Sequence, residues 1–310
     1  NLFKMHWPYK QLETSRNVKL LPYHNQLKKL GACFGQIAGY ERPMWFSKTQ
    51  KPVYKYSYGY QNWYKSAKYE CLNTRKNLGL FELTPFVKFD LSGKNTHDQL
   101  QYLCANNVKN IEGKTTYTQM LNERGGIEAD LTVVRLDQEV FYLVTGTGFM
   151  THDFDWIKSN IPSDHNVQLE NITFKYSVFS LMGPKSREIL QASSDENFDN
   201  ENFPFATFQN ILINNCPVKA LRITYMGELG WELHFPIEHA EKIYETLMEN
   251  GEPLGLRNAG YRAIESCRLE KGYRAWSSDI GPDHTPLEAG LGWAVKLKKN
   301  INFIGKQSLL

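Results

Sequence analysis

The most regular alternation in the chain lies at residues 127–133. Ile127, Ala129, Leu131 and Val133 interleave with Glu128, Asp130 and Thr132, the period of a strand with one buried face. The stretch NERGGIEADLTV (122–133) therefore predicts a tight turn at the Gly-Gly pair, followed by a strand with two carboxylates on one side. That side is either a solvated outer face or one that addresses a ligand. Alternation alone leaves both readings open.

The pattern elsewhere predicts the neighbours of this strand. Trp63 to Asn77 has helical spacing, with Gly79 as a helix stop. GYERPMWF (39–46) reads as an irregular segment packed on a core. VKFDLSGKNTHDQLQYL (87–103) and YSVFSLMGPKSREIL (176–190) each run strand, glycine, helix, with Pro184 suited to a first helical turn. GIEADLTVVRL, EVFYLVTGTGF and DFDWIKSNI give strand, strand, helix, and ALRITYMGE, LGWELHFP and IEHAEKIYETLMENG repeat that order. This loose echo puts Asp130 and Glu232 on strands of comparable units. Hairpins mixed with crossover helices predict an α+β fold with mostly antiparallel sheets flanked by helices.

Composition narrows the function classes. A chain of 310 residues can bury a sizeable core. Its 36 basic and 33 acidic residues nearly balance, which disfavours a nucleic-acid or membrane-surface partner. The aromatic, lysine-rich run Tyr54–Tyr69 could stack single-stranded nucleic acid, but reads better as a tyrosine-rich loop entering a helix. No apolar run is long enough to span a membrane. Cys33, Cys71, Cys104, Cys216 and Cys267 are odd in number and show no CxxC spacing, so reduced thiols of an intracellular compartment are expected. The first ten residues resemble neither a signal nor a transit peptide, and the terminal GKQSLL resembles the start of a helix. Both ends are expected to be internal to something longer.

Several chemistries lack their motifs. GTGFMT (146–151) has no third glycine and no acidic partner at dinucleotide-loop spacing. HExxH, Walker and GxSxG motifs do not occur, and the histidines show no ligand-like spacing, so no metal is expected. Carboxylates beside aromatics and glycines remain. In RITYMGELGWELHF (222–235), Tyr225 precedes a glycine turn and Glu232 sits between Trp231 and Leu233. Such a carboxylate is either outward-facing or paired, because burial requires hydrogen-bond donors. An aminopyrimidinone ring offers two parallel N–H donors, a geometry that a carboxylate accepts well.

Taken in order, GYERPMWF, the 63–84 helix with GLFELT, NERGGIEADLTV, LMGPKSREIL, ITYMGELGWELHFP and NAGYRAIESCRLEKGYRAW through FIGKQSLL resemble one family. It is the folate-binding aminomethyltransferase family of the glycine-cleavage T-protein, in the form of the C-terminal half of sarcosine and dimethylglycine dehydrogenases. The resemblance implies a catalytic acid at Asp130 and tetrahydrofolate contacts from Tyr117, Tyr225, Glu232 and Arg268, with Glu128 left solvated. The first of the T-protein's two strand acids is replaced by Ala129, and its asparagine-bearing loop by Thr145-Gly146-Thr147-Gly148. The implied cofactor is tetrahydrofolate, with or without a polyglutamate tail. FAD would be involved only through an upstream amine-oxidising domain outside this chain. Residues 1–23 would end the linker from that domain, and 24–310 would form the folate domain, followed by a small barrel. The implied reaction captures an oxidised N-methyl carbon as 5,10-methylenetetrahydrofolate, in a mitochondrial matrix or a bacterial cytoplasm. The alternative is a non-catalytic module like the regulatory subunit of pyruvate dehydrogenase phosphatase.

Overall fold

A computed structural model describes residues 11–48, 51–109, 111–163 and 166–310. The chain runs α1 (His24–Lys29), β1 (Ala32–Ile37), β2 (Tyr40–Phe46), α2 (Tyr64–Lys76), β3 (Leu78–Glu82), β4 (Val87–Ser92), α3 (Thr96–Leu103) and β5 (Thr115–Leu121). It continues β6 (Ile127–Asp137), β7 (Val140–Thr145), α4 (Met150–Ser159), β8 (Gln168–Asn171), β9 (Tyr176–Met182), α5 (Ser186–Ser193) and β10 (Phe208–Ile213). The last elements are β11 (Cys216–Leu221), β12 (Gly230–Pro236), α6 (Ala240–Gly251), β13 (Leu256–Ala259) and α7 (Tyr261–Glu270).

Among the described residues, two large sheets, in the orders β5-β6-β7-β4-β8 and β10-β11-β12-β9-β3-β13, and a two-stranded sheet β1-β2 organise these elements. Every neighbouring pair is antiparallel except β13 with β3. The expected α+β class with mostly antiparallel sheets is what forms. The echo is also real at the level of topology. Strand β4, helix α3, the meander β5-β6-β7 and helix α4 match β9, α5, β10-β11-β12 and α6, and in each unit the third meander strand returns beside the first. Asp130 and Glu232 are not equivalent within it, however. Asp130 lies on a second meander strand and Glu232 on a third.

The alternation sorts the faces. Ala129, Leu131 and Val133 pack with Phe89, Leu100 and Leu103 under one sheet, and Trp231, Leu233 and Phe235 pack with Phe179, Ile243 and Leu247 under the other. The faces turned away from these cores meet through Val134, Tyr142, Val144, Phe208 and Leu221. Asp130 and Glu232 both belong to these meeting faces.

Three local expectations are corrected. GYERPMWF is β2 of a hairpin, where the buried Met44 and Trp45 pack with Cys33 and Trp63. Gly79 does not stop α2, which ends at Lys76; it lies inside β3, where a side chain would crowd the Thr74 hydroxyl. ALRITYMGE is strand only as far as Leu221, and residues 222–229 form an irregular loop. The aromatic run before α2 is indeed a loop entering a helix: Tyr54 packs edge-on against Trp45 at 4.6 Å, while Tyr58 and Tyr60 are exposed. Residues 1–10 of the expected linker lie outside the described residues. In its described part, Leu21 and Tyr23 are buried in the same core as β9 and β12. The five cysteines are free thiols.

Candidate functional site

The turn before β6 decides what its carboxylates face. The Asn122 side-chain oxygen accepts the N–H groups of Arg124 (3.0 Å) and Gly126 (2.9 Å), while Gly125 takes a φ of +83°. Gly126 has a different reason to be glycine, because a Cβ there would overlap the Pro282 carbonyl. The bare backbone lets residues 276–284 dock on the start of β6. Ile127 N–H donates to the His284 carbonyl and Trp276 Nε1 to the Ile127 carbonyl, both at 3.0 Å. This late segment takes the carboxylate face out of open solvent. Glu128, expected to be solvated, is only 14% exposed. It accepts a hydrogen bond from Asn122 Nδ2 (2.9 Å) and lies 3.3 Å from His152 Nε2.

Cross-strand register supplies the neighbours of Asp130. Gln119 on β5 pairs with Asp130, and Tyr117 with Thr132 one step further. Gln119 Nε2 donates to Asp130 Oδ1 at 2.9 Å, and the Tyr117 hydroxyl is near enough to stabilise the same carboxylate. Burial pushes Asp130 up to about 6; Gln119 and Tyr117 oppose this, while the nearby Asp153 adds to it. Asp153, buried on α4, accepts from the Thr145 hydroxyl and lies 2.9 Å from His152 Nδ1. It too is raised, by burial first, against hydrogen bonds from His152 and Thr145. Burial also raises the Tyr117 phenol, as does Asp130. Trp293 stacks on the Tyr117 ring at 5.6 Å.

Tyr225 joins this group from the other half. Its loop is pinned by the Thr224 hydroxyl, which accepts from the N–H groups of Met226 (3.2 Å) and Gly227 (3.0 Å). The Tyr225 hydroxyl donates to the Arg274 carbonyl at 2.8 Å, and its ring stacks on Tyr273 at 6.0 Å. Burial raises its phenol, and Asp130 is among the charges it senses.

Arg268 is only 3% exposed and turned to the same loop. Its guanidinium bonds Glu265, Asp279 and the Tyr273 carbonyl, the last at 2.9 Å. These contacts hold residues 273–279 in place.

Glu232 approaches from the facing sheet. It pairs across strands with Leu221 and Ser180, and its carboxylate is 13% exposed. His234 Nε2 lies 3.5 Å from its Oε2. Among the described residues no direct bond joins it to Asp130, Tyr117 or Tyr225. The two sheets are nevertheless tied beside it, where the Tyr142 hydroxyl lies 2.9 Å from His234 Nδ1. A recess of about 340 Å³ is lined by Tyr176, Lys219 and His234 among others.

Asp130, Tyr117 and Tyr225 thus come together, Glu232 lies on the opposing face, and Arg268 supports a loop. Sequence reasoning missed Gln119, Asp153, Tyr142 and His234. Gln119 had a signal, since it lies two residues from Tyr117 and shares its face. Asp153 had none, because its partners are set by how α4 folds back. Among the described residues no group of three or more His, Cys, Asp or Glu could hold a metal ion, and no helix is long and apolar enough to cross a membrane.

The chain belongs to the GCVT N-terminal domain family, an aminomethyltransferase-type domain, which it matches over residues 23–299. Over its whole length it is 36% identical to 4-methylaminobutanoate oxidase (formaldehyde-forming) of Paenarthrobacter nicotinovorans. It is 38% identical over 277 residues, 89% of the chain, to the mitochondrial dimethylglycine dehydrogenase of Rattus norvegicus. It is 30% identical over 316 positions to the mitochondrial pyruvate dehydrogenase phosphatase regulatory subunit of Mus musculus. The chain spans 38%, 32% and 36% of the lengths of these relatives, respectively. The crystal structure of glycine cleavage system aminomethyltransferase T from Bartonella henselae aligns with a TM-score of 0.78 at 27% identity, covering 94% of this chain and 73% of that one.

Proposed function

We propose that this domain binds tetrahydrofolate between its two sheets and transfers to it a one-carbon unit from an oxidised N-methyl amine, giving 5,10-methylenetetrahydrofolate. The observation that carries the reading is Asp130, a carboxylate held by Gln119 and stabilised by Tyr117 on the face turned toward the opposing sheet. The residues suit such a ligand. Glu232 can accept the parallel N–H donors of an aminopyrimidinone ring, and Gln119 Oε1 is buried with no partner of its own. When bound, tetrahydrofolate supplies the two nitrogens between which the carbon is held. Asp130, ionised above about pH 6, orients the second nitrogen and takes up its proton. Tyr117 and Gln119 fix the carboxylate, Tyr225 walls the site, and Arg268 keeps the 273–279 loop against it.

The relatives support an upstream amine oxidation, since one is named as a dehydrogenase of dimethylglycine and another as a formaldehyde-forming oxidase. A flavin domain would carry out that step, and the carbon would then be captured here. The setting would be a mitochondrial matrix or a bacterial cytoplasm, a reading supported by one relative named as mitochondrial and another from a bacterium. The regulatory subunit among them favours a second reading, a non-catalytic module. Calorimetric titration with tetrahydrofolate, followed by the rate of its condensation with formaldehyde, separates the two. Binding with accelerated condensation is expected. Binding without acceleration supports the regulatory reading, and absence of binding overturns the proposal.

A further inference from the structure

We propose that Tyr142 and His234 form a hydrogen-bonded relay that holds Glu232 ready to receive the ring of the ligand, which makes His234 a positioning residue. The inference rests on the folate reading above and deepens it. Tyr142 and His234 are both 0% exposed and come from different sheets, β7 and β12. Their rings meet edge to face, 88° apart, with the hydroxyl 2.9 Å from Nδ1. Among the described residues, Nδ1 is the one hydrogen-bond partner of that hydroxyl.

The tautomer follows from this arrangement. Burial, with Lys88 and Lys219 nearby, holds His234 below its ordinary pKa against the pull of Glu232, so the ring is neutral. A neutral imidazole carries one N–H. The buried phenol keeps its proton and donates to Nδ1, which leaves the ring proton on Nε2. That nitrogen is buried with no well-formed hydrogen bond, and Glu232 Oε2 lies 3.5 Å from it. The gap is about half an ångström longer than an ordinary N–H···O bond, and a small rotation of the glutamate closes it. Oε2 is then anchored through one of its lone pairs, and its second lone pair together with Oε1 remains for the ligand's two N–H donors.

Two measurements test the relay in the purified protein. In a sample labelled with ¹⁵N-histidine, the nitrogen spectrum of His234 is expected to show the Nε2–H tautomer before folate is added, and Tyr142→Phe should remove that preference. In calorimetric titrations, His234→Phe should weaken tetrahydrofolate binding about tenfold, the scale of one hydrogen bond. His234→Gln, which keeps a side-chain N–H donor, should recover most of that loss. Tyr142→Phe removes a single oxygen and tests the relay even where the histidine variant fails to fold. An Nδ1–H tautomer, or unchanged affinity in the folded His234→Phe and Tyr142→Phe proteins, overturns the relay alone if Glu232→Gln still loses affinity. Unchanged affinity in Glu232→Gln overturns the folate-site assignment of Glu232, and the relay with it.

Discussion

Asp130 combines two properties that normally oppose each other: it is half-buried among protein groups that desolvate it, and it is ionised at neutral pH. Gln119 and Tyr117 reconcile them by stabilising the charged form. Asp130→Asn should keep near-normal folate affinity while slowing formaldehyde condensation by roughly a hundredfold, the scale for one positioned proton-transfer group. In the wild type, the rate should fall tenfold per pH unit below about 6, measured as a pH–rate profile.

Stability carries a second signature. A carboxyl raised from near 3.9 in the unfolded chain to about 6 in the folded one favours folding when protonated. That contribution is complete below about pH 4 and lost as pH rises through about 6. Asp130→Asn should therefore stabilise the fold by up to about 3 kcal/mol at pH 8, with the gain vanishing near pH 4. Denaturant titrations at the two pH values check the sign. Glu232→Gln should cost about 1.5–3 kcal/mol of folate affinity by removing a charge-assisted pair. Glu128→Gln should leave affinity intact, because Glu128 is engaged by Asn122 and His152.

At the scale of elements, the site depends on how closely backbones approach. Gly126 admits the 276–284 segment to the start of β6, and Gly230 brings β12 against β9, where a side chain would overlap the Leu181 carbonyl. Gly126→Ala forces Pro282 outward, so Trp276 and His284 must release Ile127. A loss of about 1–3 kcal/mol in stability is expected, the scale of overpacking, together with weaker folate binding. Gly148→Ala is the control, since nothing lies within 4 Å of a Cβ there. Thermal unfolding of the two variants compares them directly, and equal midpoints would refute the docking role of Gly126.

For the whole molecule, two units of the same topology pack face to face, and each turns one half-buried acid toward the other. Their non-equivalent strands would supply different chemistry: β6 carries the aspartate proposed to handle a proton, and β12 the glutamate proposed to receive the ring. The chain spans about a third of its dehydrogenase and oxidase relatives, so the division of labour can be tested on it directly. The purified chain should bind tetrahydrofolate, show no flavin absorption band, and not oxidise sarcosine or dimethylglycine. A stoichiometric flavin band, or oxidation without an added partner, would contradict that division.

The sequence alone determined which residues share a face. Strand period is local, so Ile127 and Leu131 had to lie opposite Glu128 and Asp130, and the helix spacing of 63–77 could be read in the same way. The fold class was legible for the same reason, as hairpins and crossover helices leave distinct patterns, whereas the order of strands in each sheet was not. What lay over the carboxylate face was not legible. Trp276 and His284 follow Glu128 by some 150 positions and reach it only when the chain closes on Gly126, so the sequence could not show that Glu128 would be covered. The environment of Asp130 mixes the two sources. Gln119 came from strand register, which the alternation constrains, whereas Asp153 came from the return of α4, which it does not. Burial and electrostatic coupling depend on everything within a few ångströms in space, and only the tertiary structure decided who those neighbours are.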